Sequence, residues 1–386
     1  MRKISAMNSY EENLQLLINK VDGVNDLSWD DLCDRLNLDV HPDSLRKAFS
    51  VTDYCGYQVA QYYINKSTQE LTEDMIAKIQ TAKDAEYKER VRLQDARREY
   101  NKNLREDARF ANLVDVMKEQ INDLPTIDFG YNGIDHKTGV KAALLVSDLH
   151  YGATSDNVLN LYNIEVCNER MQTLLNKTIH YCTIHHVDEL FVNLGGDLVS
   201  GLIHVSGRVE QEEDVITQTM QVAELLSKFI AELSKKVPNI KVIGVQGNHS
   251  RVSADRRQSL NPENFERIIF EYISNRLGIP VMRNGLEDWV AYNIGNRKVF
   301  LEHGDKSSMG SAREQAINVL GYVPDDIFVG HFHHMEVIDK HGTDIVVNGS
   351  VMGTDAYAMK HRLHTKPYQI LRIYDGDDVC TYKVML

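Results

Sequence analysis

Short apolar runs alternate with amphipathic helical patterns over the last two thirds of the chain. The runs are 142–146, 190–194, 242–245 and 327–329, and runs of this length are typical of buried strands. Helical patterns lie between them at about residues 164–185, 211–235 and 262–277. Alternating patterns at 335–339, 344–347, 368–374 and 379–384 predict antiparallel strands of a second sheet. The pattern predicts an α/β domain over residues 126–386.

The first part of the chain, residues 1–66, has only helical patterns. Ser28 to Asp31 has the spacing of a capping box, and a turn at His41-Pro42-Asp43 precedes a second helix from about Ser44. Helix, tight turn and helix resemble a helix-turn-helix module. Residues 1–60 carry ten acidic and six basic residues, a poor balance for binding phosphate. A small bundle that docks proteins or forms a homo-oligomer is an equal alternative.

Residues 67–125 form a separate charged segment. The stretch from Gln69 to about Ile121 has neither glycine nor proline, and Lys83 to Arg109 holds nine basic and seven acidic residues with Tyr87 and Tyr100 among them. This favours a solvated helix with i,i+4 ion pairs. The alternative is an arm that follows a nucleic-acid backbone or a partner. The apolar positions keep no heptad, which argues against a long coiled coil.

Aspartate, asparagine and histidine, which are common metal ligands, follow the predicted strands. Each of these residues lies beside a glycine or at a strand end. They are Asp148, His150, Asp197, Asn248, His249, His303, His331 and His333. In open sheets, the carboxyl ends of strands border the crevice in which ligands bind. Carboxylate, amide and imidazole groups without a thiolate suit divalent Mn, Fe, Zn, Mg or Ni better than a soft metal. The spacing therefore predicts two divalent ions in one crevice, with Mn²⁺ favoured.

These residues, in this order, resemble the motif series of the calcineurin-like metallophosphoesterases. The series is Asp-x-His, Gly-Asp, Gly-Asn-His, His and Gly-His-x-His, and the resemblance covers about residues 140–350. It implies a two-sheet β-sandwich flanked by helices, a four-layer fold with an all-α region before it. It also implies a role for each residue. Asp148, His150 and His333 would bind one ion, Asn248, His303 and His331 the second, Asp197 both, and His249 would face the scissile phosphate as a catalytic group.

The chain departs from the family pattern at two places. Ser250 and Arg251 follow Gly-Asn-His where the family often has an acidic residue, so the group that orients His249 is not identified. Ser200 lies three residues after Asp197, where double-strand-break exonucleases of the family usually have histidine, and His204 follows it. The basic or polar residues expected to meet substrate phosphates are His204, Arg208, Arg251, Lys360 and Arg362.

Composition restricts the setting. The 386 residues carry a net charge of −13, which argues against a globally basic nucleic-acid binder but leaves room for a local basic groove. Five cysteines without a C-x-x-C pair predict reduced thiols in the cytoplasm. Neither a membrane span nor a signal peptide is evident.

Three functions follow from the pattern. The favoured one is a metal-dependent phosphodiesterase or nuclease acting on DNA or RNA, because the extra helical segments suggest a macromolecular substrate. The second is a phosphodiesterase or phosphatase for nucleotides or cyclic nucleotides. The third, less favoured, is a DNA- or protein-binding regulator with a structural metal site. A similar combination of core, helix-turn-helix-like unit and arm occurs in predicted phosphoesterases carried by phages.

Overall fold

A computed structural model describes residues 10–21, 23–48, 73–133, 137–203, 211–253, 264–284, 288–308 and 310–386. The chain divides into two compact units, residues 1–100 and residues 101–386. Two of the predicted substrate-binding residues, His204 and Arg208, lie outside the described residues, as does the predicted boundary near residue 66.

The described part of the smaller unit includes three short helices, α1 (Tyr10–Val21), α2 (Trp29–Leu36) and α3 (Pro42–Ala48). Leu17, Leu32, Cys33 and Leu45 are its buried apolar side chains. The predicted capping box is confirmed, because the Ser28 hydroxyl accepts the Asp31 N–H at 3.1 Å while the Asp31 carboxylate accepts the Ser28 N–H at 2.9 Å. The helix predicted to follow the turn is α3. It begins at Pro42, two residues before the predicted start at Ser44, because proline is suited to the first helical turn.

The charged segment is one helix, α4 (Glu73–Asn122), as the absence of glycine and proline predicted. The ion pairs described on it, Glu89–Arg92 and Asp95–Arg98, are i,i+3 rather than the predicted i,i+4. At its C-terminal end, Val114, Met117 and Ile121 are buried in the core of the larger unit. None of the helices in the described ranges has the length and apolarity needed to cross a membrane.

The first sheet of the larger unit has the order β13-β12-β1-β4-β5-β6 among the described residues. Its strands are β1 (Lys141–Val146), β4 (Glu189–Leu194), β5 (Asn239–Gly244), β6 (Val281–Met282), β12 (Tyr368–Asp375) and β13 (Asp378–Met385). Strands β1, β4, β5 and β6 are parallel to one another. Strand β12 pairs antiparallel with β1, and β13 pairs antiparallel with β12. A separate hairpin, β2 (Ser155–Asn157) and β3 (Asn160–Tyr162), follows the loop after β1.

The second sheet has the order β10-β11-β9-β8-β7. Its strands are β7 (Trp289–Ile294), β8 (Arg297–Glu302), β9 (Asp326–Val329), β10 (Glu336–Lys340) and β11 (Thr343–Val347). The prediction that the strands at 368–374 and 379–384 belong to this sheet was wrong, because both lie in the first sheet. Alternating apolar and polar residues identify a strand and its antiparallel partner. Strand β12 is buried on both faces, so its sequence does not indicate which sheet it joins.

The two sheets pack face to face and helices cover their outer faces, so the predicted four-layer sandwich is confirmed. Residues of both sheets, including Leu145, Phe191, Ile243, Leu301 and Phe328, form the core between them. Helices α5 (Ile164–Ile184), α6 (Val215–Ser234) and α7 (Phe265–Leu277) cover the first sheet, and α8 (Ala312–Leu320) covers the second. A short helix, α9 (Ala356–Lys360), follows β11.

The three long helices begin and end close to the predicted positions, and side-chain caps explain the differences. Helix α6 begins at Val215 rather than near Gln211 because the Asp214 carboxylate accepts the N–H groups of Ile216 and Thr217 at 2.9 and 3.1 Å. Helix α7 begins at Phe265 after the N-cap Asn264. The strands β1, β4 and β5 of one sheet and β8 and β9 of the other are parallel within their sheets, and the loops after them meet. That edge of the sandwich carries the predicted ligands.

Candidate metal centre

The predicted ligands come together in the larger unit. Asp148 and His150 follow β1, Asp197 follows β4, Asn248 follows β5, His303 follows β8, and His331 and His333 follow β9. Asp148 and Asp197 are buried, with 0% and 1% of their surface exposed. Ionised carboxylates at this depth require compensating positive charge, since burial alone disfavours the charged form.

One cluster consists of Asp148, His150 and His333. The Nε2 atom of His333 lies 3.2 Å from Asp148 Oδ1 and 3.2 Å from His150 Nε2. A ligand atom from each residue lies within 4.8 Å of the others. This is the set that the family resemblance assigned to the first ion.

The other cluster consists of Asp197, His303 and His331, again with ligand atoms within 4.8 Å of one another. His303 Nε2 lies 3.1 Å from Asp197 Oδ2 and 3.2 Å from Asn248 Oδ1. Asp197 also belongs to a third group with His150 and His249, so it faces both clusters. The structure thus places Asp197 between the two clusters, where the resemblance assigned a bridging carboxylate.

The charges of the two carboxylates are stabilised by the histidines. Burial opposes ionisation of Asp197, but His303 and His249 hold its pKa well below the ordinary range. Burial likewise opposes ionisation of Asp148, and the contact with His333 lowers the pKa of that carboxyl. Both aspartates are therefore charged acceptors at neutral pH.

The histidines divide into two kinds. Burial and the neighbouring His249 lower the pKa of His150 well below its ordinary value, and burial and His303 lower the pKa of His331. For His303 burial opposes protonation, but Asp197 raises its pKa well above the ordinary value. His303 Nδ1 lies 2.8 Å from the Gly195 carbonyl oxygen, to which it donates its proton. This tautomer directs the Nε2 lone pair at Asp197 and Asn248 when the ring is neutral.

This donor set fits two divalent cations. The Nε2 atoms of His150 and His333 lie 3.2 Å apart, and each cluster contains a buried carboxylate. A cation bound in each cluster would take the place of the proton between His303 and Asp197 and of the proton between His333 and Asp148. Nitrogen and oxygen donors alone are typical of sites for Mn, Fe, Zn or Mg.

The backbone at the ligands is held in an unusual conformation. Five of the seven predicted ligands have positive φ angles, 54° at Asp148, 47° at His150, 53° at Asp197, 66° at His331 and 57° at His333. Residues other than glycine rarely adopt this left-handed region, which costs on the order of 1–3 kcal/mol at each position. The turn after each strand must therefore be fixed by the contacts around it.

One such set of contacts surrounds Asp148. The Ser147 hydroxyl donates to Asp148 Oδ2 at 2.5 Å and accepts the Asn348 side-chain amide at 2.9 Å. Asn348 donates in turn to Gln369 Oε1 at 2.8 Å, and that oxygen also accepts the Ser147 N–H. The segment that begins at Asn348 lies beside the crevice, because the Val351 N–H also donates to the Asp148 carbonyl oxygen at 3.2 Å. This network orients the ligand.

The group that orients His249 is a backbone carbonyl. His249 Nδ1 lies 3.0 Å from the Ser200 carbonyl oxygen, which can only accept, so Nδ1 carries the proton. The His249 N–H donates to Asp197 Oδ1 at 2.8 Å, and the His249 and His150 rings meet edge to face with centroids 4.5 Å apart. Ser200, noted in the sequence for lacking the expected histidine, thus fixes the ring through its main chain. Ser250 is buried and points elsewhere, with its hydroxyl unpaired.

Gly247 lets the loop before Asn248 approach Asp197. A Cβ atom at Gly247 would lie 2.2 Å from both the backbone nitrogen and Oδ1 of Asp197. We expect Gly247→Ala to lower the free energy of unfolding by about 1–3 kcal/mol, as overpacking does, and to weaken metal binding. Urea unfolding of the metal-free protein measures the first effect. Gly310→Ala is the matched control, because the nearest atom to its added methyl would be 3.9 Å away. Equal stability of the two variants would contradict this account.

Comparisons with known proteins give distant similarities. No protein-family model matches the chain. It is similar over 97% of its length, at 24% identity, to the SPbeta prophage-derived uncharacterized protein YonJ of Bacillus subtilis strain 168, of which it covers 95%. It is also similar to the solved structure of Vacuolar Protein Sorting 29 from Cryptosporidium parvum, with 18% identity, TM-score 0.34, and coverage of 63% of this chain and 90% of that one. A third similarity is to the solved structure of an archaeal phosphodiesterase. The identity is 13% and the TM-score 0.34, and the match covers 63% of this chain and 99% of that one.

The fold of the larger unit is the one that the motif series implied. Two packed sheets flanked by helices, with ligands on the loops after parallel strands, are what the motif series implied. The similarity of nearly the whole chain to a prophage-derived protein agrees with the expected phage type.

The structure describes three of the five predicted substrate-binding residues. Arg251 is half-buried and its Nε donates to the Asn248 carbonyl oxygen at 2.9 Å, directly behind a ligand. Lys360 and Arg362 are exposed, on α9 and just after it. For His333, burial lowers and Asp148 raises the pKa, and Asp355 adds to the rise, so the segment leading into α9 begins close to the site. Contact of these residues with substrate stays a prediction.

The sequence analysis missed one acidic residue at the site. Glu266, in the first turn of α7, is fully buried, and its two carboxylate oxygens accept the N–H groups of Leu198 and Gly247 at 2.8 and 2.5 Å. Burial and the charge of Asp197 raise the pKa of Glu266 to about 7. In the sequence Glu266 looks like an ordinary first-turn acidic residue, since negative charge is favoured at every helix N-terminus.

His185 is the C-cap residue of α5, and its Nε2 lies 2.7 Å from the Tyr382 hydroxyl on β13. The structure thus gives His185 a packing role away from the ligand clusters.

Proposed function

We propose that this protein is a binuclear metal-dependent phosphodiesterase that cleaves phosphodiester bonds in nucleic acid. The observation that carries the proposal is the meeting of two N/O ligand clusters at one edge of the sandwich, with Asp197 facing both. Two divalent ions held there would supply positive charge to a bound phosphoryl group and a nucleophile at neutral pH. Mn²⁺ is the metal we expect.

The chain's own residues provide position and proton transfer. Asp148 is fixed by Ser147, and Asp197 is fixed by the His249 N–H, so the two carboxylates keep their directions without a bound substrate. His249 Nδ1 donates to the Ser200 carbonyl oxygen, which leaves Nε2 as the ring atom that exchanges a proton with substrate. In the protonated ring, Nε2–H can be donated to the leaving oxygen, a step worth about 10²–10⁴-fold in rate.

The helical parts of the chain support a macromolecular substrate. Helix α3 carries Arg46 and Lys47 in its last turn, and α4 displays alternating charges along 50 residues. Proteins that bind only a small ester have no need of such extensions, although the acidic balance of residues 1–60 argues for weak rather than tight phosphate binding.

The first test is an activity series with the full chain and Mn²⁺. We expect hydrolysis of bis-(4-nitrophenyl) phosphate, and then of single-stranded or duplex DNA or of RNA, each compared with His331→Ala as the inactive control. Hydrolysis of the small ester without cleavage of any polynucleotide would contradict the nucleic-acid substrate. Hydrolysis of none of them would contradict the enzyme and favour a regulator with a structural metal.

A second candidate substrate class is a nucleotide or cyclic nucleotide. It is favoured by acidic side chains close to the clusters. Burial lowers the pKa of both His331 and His333, whereas the negative charge of Asp305 raises the pKa of His331 and that of Asp355 raises the pKa of His333. Such charges disfavour a long polyanion more than a small one. Cleavage of cyclic nucleotides at a much higher kcat/KM than DNA would support it.

The stoichiometry of metal is a separate prediction. We expect two Mn²⁺ ions per chain under saturating conditions, because seven ligand residues exceed the needs of one four- to six-coordinate ion and form two clusters around Asp197. Anomalous scattering at the Mn edge, with elemental analysis of the dialysed protein, measures the number. One tight ion per chain in both measurements would contradict a binuclear site.

The role of α3 is tested by reversing its charge. If this helix contacts phosphates, Arg46→Glu combined with Lys47→Glu should weaken binding to duplex DNA and reduce the salt dependence of the affinity by about two charges. Fluorescence anisotropy at several salt concentrations measures both. Asp39→Asn in the exposed turn before α3 serves as a surface control. Unchanged affinity in the double variant would indicate that the smaller unit binds protein instead.

A further inference from the structure

The loops after β4 and β5 are joined by a single buried side chain. Glu266 Oε1 accepts the Leu198 N–H at 2.8 Å and Oε2 accepts the Gly247 N–H at 2.5 Å. Leu198 follows the bridging Asp197, and Gly247 precedes the ligand Asn248. One carboxylate thus holds the main chain beside two ligands that lie on different loops.

The geometry indicates that both oxygens act as acceptors. An N–H group approaches each oxygen, and a carboxylate with two such donors is a charge-assisted acceptor, stronger than a neutral amide. A side-chain amide at this position would bring its own NH₂ group toward one of the N–H donors and lose that bond. A group that can accept at both oxygens therefore suits residue 266 better than an amide of the same size.

The first turn of α7 fixes Glu266 and holds the same loop at further points. The Asn264 side chain accepts the Glu266 N–H at 2.9 Å and donates to the Gly247 carbonyl oxygen at 3.3 Å. The Phe265 N–H donates to the Ser250 carbonyl oxygen at 2.9 Å. The segment Gly247–Ser250, which carries Asn248 and His249, is thus attached to a rigid helix on both sides of its ligand.

Different side chains support the two clusters, although main-chain hydrogen bonds join their loops, since the N–H groups of Asp148 and His150 donate to the carbonyl oxygens of Gly196 and Asp197 at 3.0 Å. Asp148 of the first cluster is held by Ser147, Asn348 and Gln369, from β1 and the segments around β12. Glu266 makes its bonds to the loops that carry Asp197 and Asn248 of the second cluster. Since Glu266 bonds only to the loops after β4 and β5, its loss should act more strongly on the second cluster than on Asp148 and His333 of the first.

We infer that Glu266 is a positioning residue that sets the spacing between Asp197 and Asn248 and thereby the affinity for the second ion. The inference rests on the proposed two-metal function, but only on its metal binding. Groups that orient ligands from behind typically contribute 10–100-fold in metal affinity. Without the carboxylate, the loops after β4 and β5 lose their common acceptor, and Asn248 and Asp197 no longer meet His303 in a fixed geometry.

The test is Mn²⁺ binding to the metal-free full chain, measured by titration calorimetry and by the anomalous occupancy of each ion at limiting Mn²⁺. We expect Glu266→Gln to lower the affinity for one ion about 10–100-fold and to lower occupancy beside His303 and His331, while occupancy beside Asp148 and His333 stays that of the wild type. The matched control is Glu224→Gln. Glu224 accepts hydrogen bonds from Tyr272 and Arg276 of the same helix α7, away from the ligands, so this variant should bind both ions normally.

Unchanged affinity for both ions in Glu266→Gln would overturn the inference, and so would an equal loss at both clusters. If Glu266→Gln does not fold, Glu266→Asp decides, because it keeps the charge but is too short to reach both N–H groups; wild-type affinity in that variant would overturn the inference too. A wild-type chain that binds two ions but cleaves no phosphodiester contradicts the proposed function alone. Normal metal binding by Glu266→Gln in an active enzyme contradicts the positioning role alone.

Discussion

Asp197→Asn is expected to abolish phosphodiester hydrolysis while the fold is retained. Asp197 faces both clusters, and its two oxygens contact different groups, Oδ1 the His249 N–H and Oδ2 the His303 ring. The amide keeps the size of the side chain but removes the negative charge that two cations would share. We expect kcat/KM to fall by about 10³-fold or more, at least the cost of removing one charge-stabilising group from an active site.

The measurement is Mn²⁺-dependent hydrolysis of bis-(4-nitrophenyl) phosphate, with circular dichroism to verify the fold. Asp188→Asn is the matched control, because Asp188 precedes the opposite end of β4 and accepts the N–H of Gly139 at 2.5 Å. It should keep wild-type activity. His331→Ala should be as inactive as Asp197→Asn, since His331 belongs to the second cluster. Turnover at the wild-type rate in either ligand variant would refute the assignment of the site.

His249→Ala is expected to separate metal binding from proton transfer. The ring is held by the Ser200 carbonyl oxygen at Nδ1 and lies beside His150, so its removal takes away a proton donor without removing an assigned ligand. We expect kcat to fall about 10²–10⁴-fold for a nucleotide leaving group. The loss should be smaller for nitrophenyl esters, because nitrophenolate leaves without being protonated.

Two measurements are needed for His249→Ala, the metal content and kcat on both kinds of ester. His334→Ala is the control, since His334 follows the ligand His333 but is partly exposed and pairs with Glu336. Equal losses of kcat on both substrates, or loss of one ion, would show that His249 is a ligand or a packing residue. The third group of ligand atoms, which includes His249 with His150 and Asp197, makes that outcome a real alternative.

Local sequence patterns were sufficient to predict most of the strands and the residues that meet in the two clusters. Apolar runs such as Leu190–Leu194 are short, end at glycine and precede a polar residue, so each pattern specifies its own element without reference to the rest of the chain. The helix α4 was predicted for the same reason, because composition alone excludes breaks in it. The motif order then related the separate loops to one another.

The features that were missed depend on contacts between distant segments. Glu266 meets Leu198 across 68 residues, and Gln369 meets Ser147 across 222, and neither pair has a periodic signature. The orientation of His249 depends on a main-chain carbonyl, for which any residue at position 200 would serve, so the side chain of Ser200 gave no clue. The sheet to which β12 and β13 belong could not be predicted either, because both faces of β12 are buried.

The left-handed backbone at the ligands has a consequence for how this protein would evolve under different selections. At His150, His331 and His333 the backbone has the left-handed conformation that glycine adopts most easily. Stability therefore favours glycine at these positions, whereas metal binding favours histidine. Selection for thermal stability of the metal-free chain alone should enrich glycine at these three positions and asparagine at Asp148 and Asp197. Selection for hydrolysis should keep the ligands and gather its stabilising changes elsewhere, in the helices and in the core between the sheets. A library sorted in both ways would separate the residues kept for folding from those kept for chemistry.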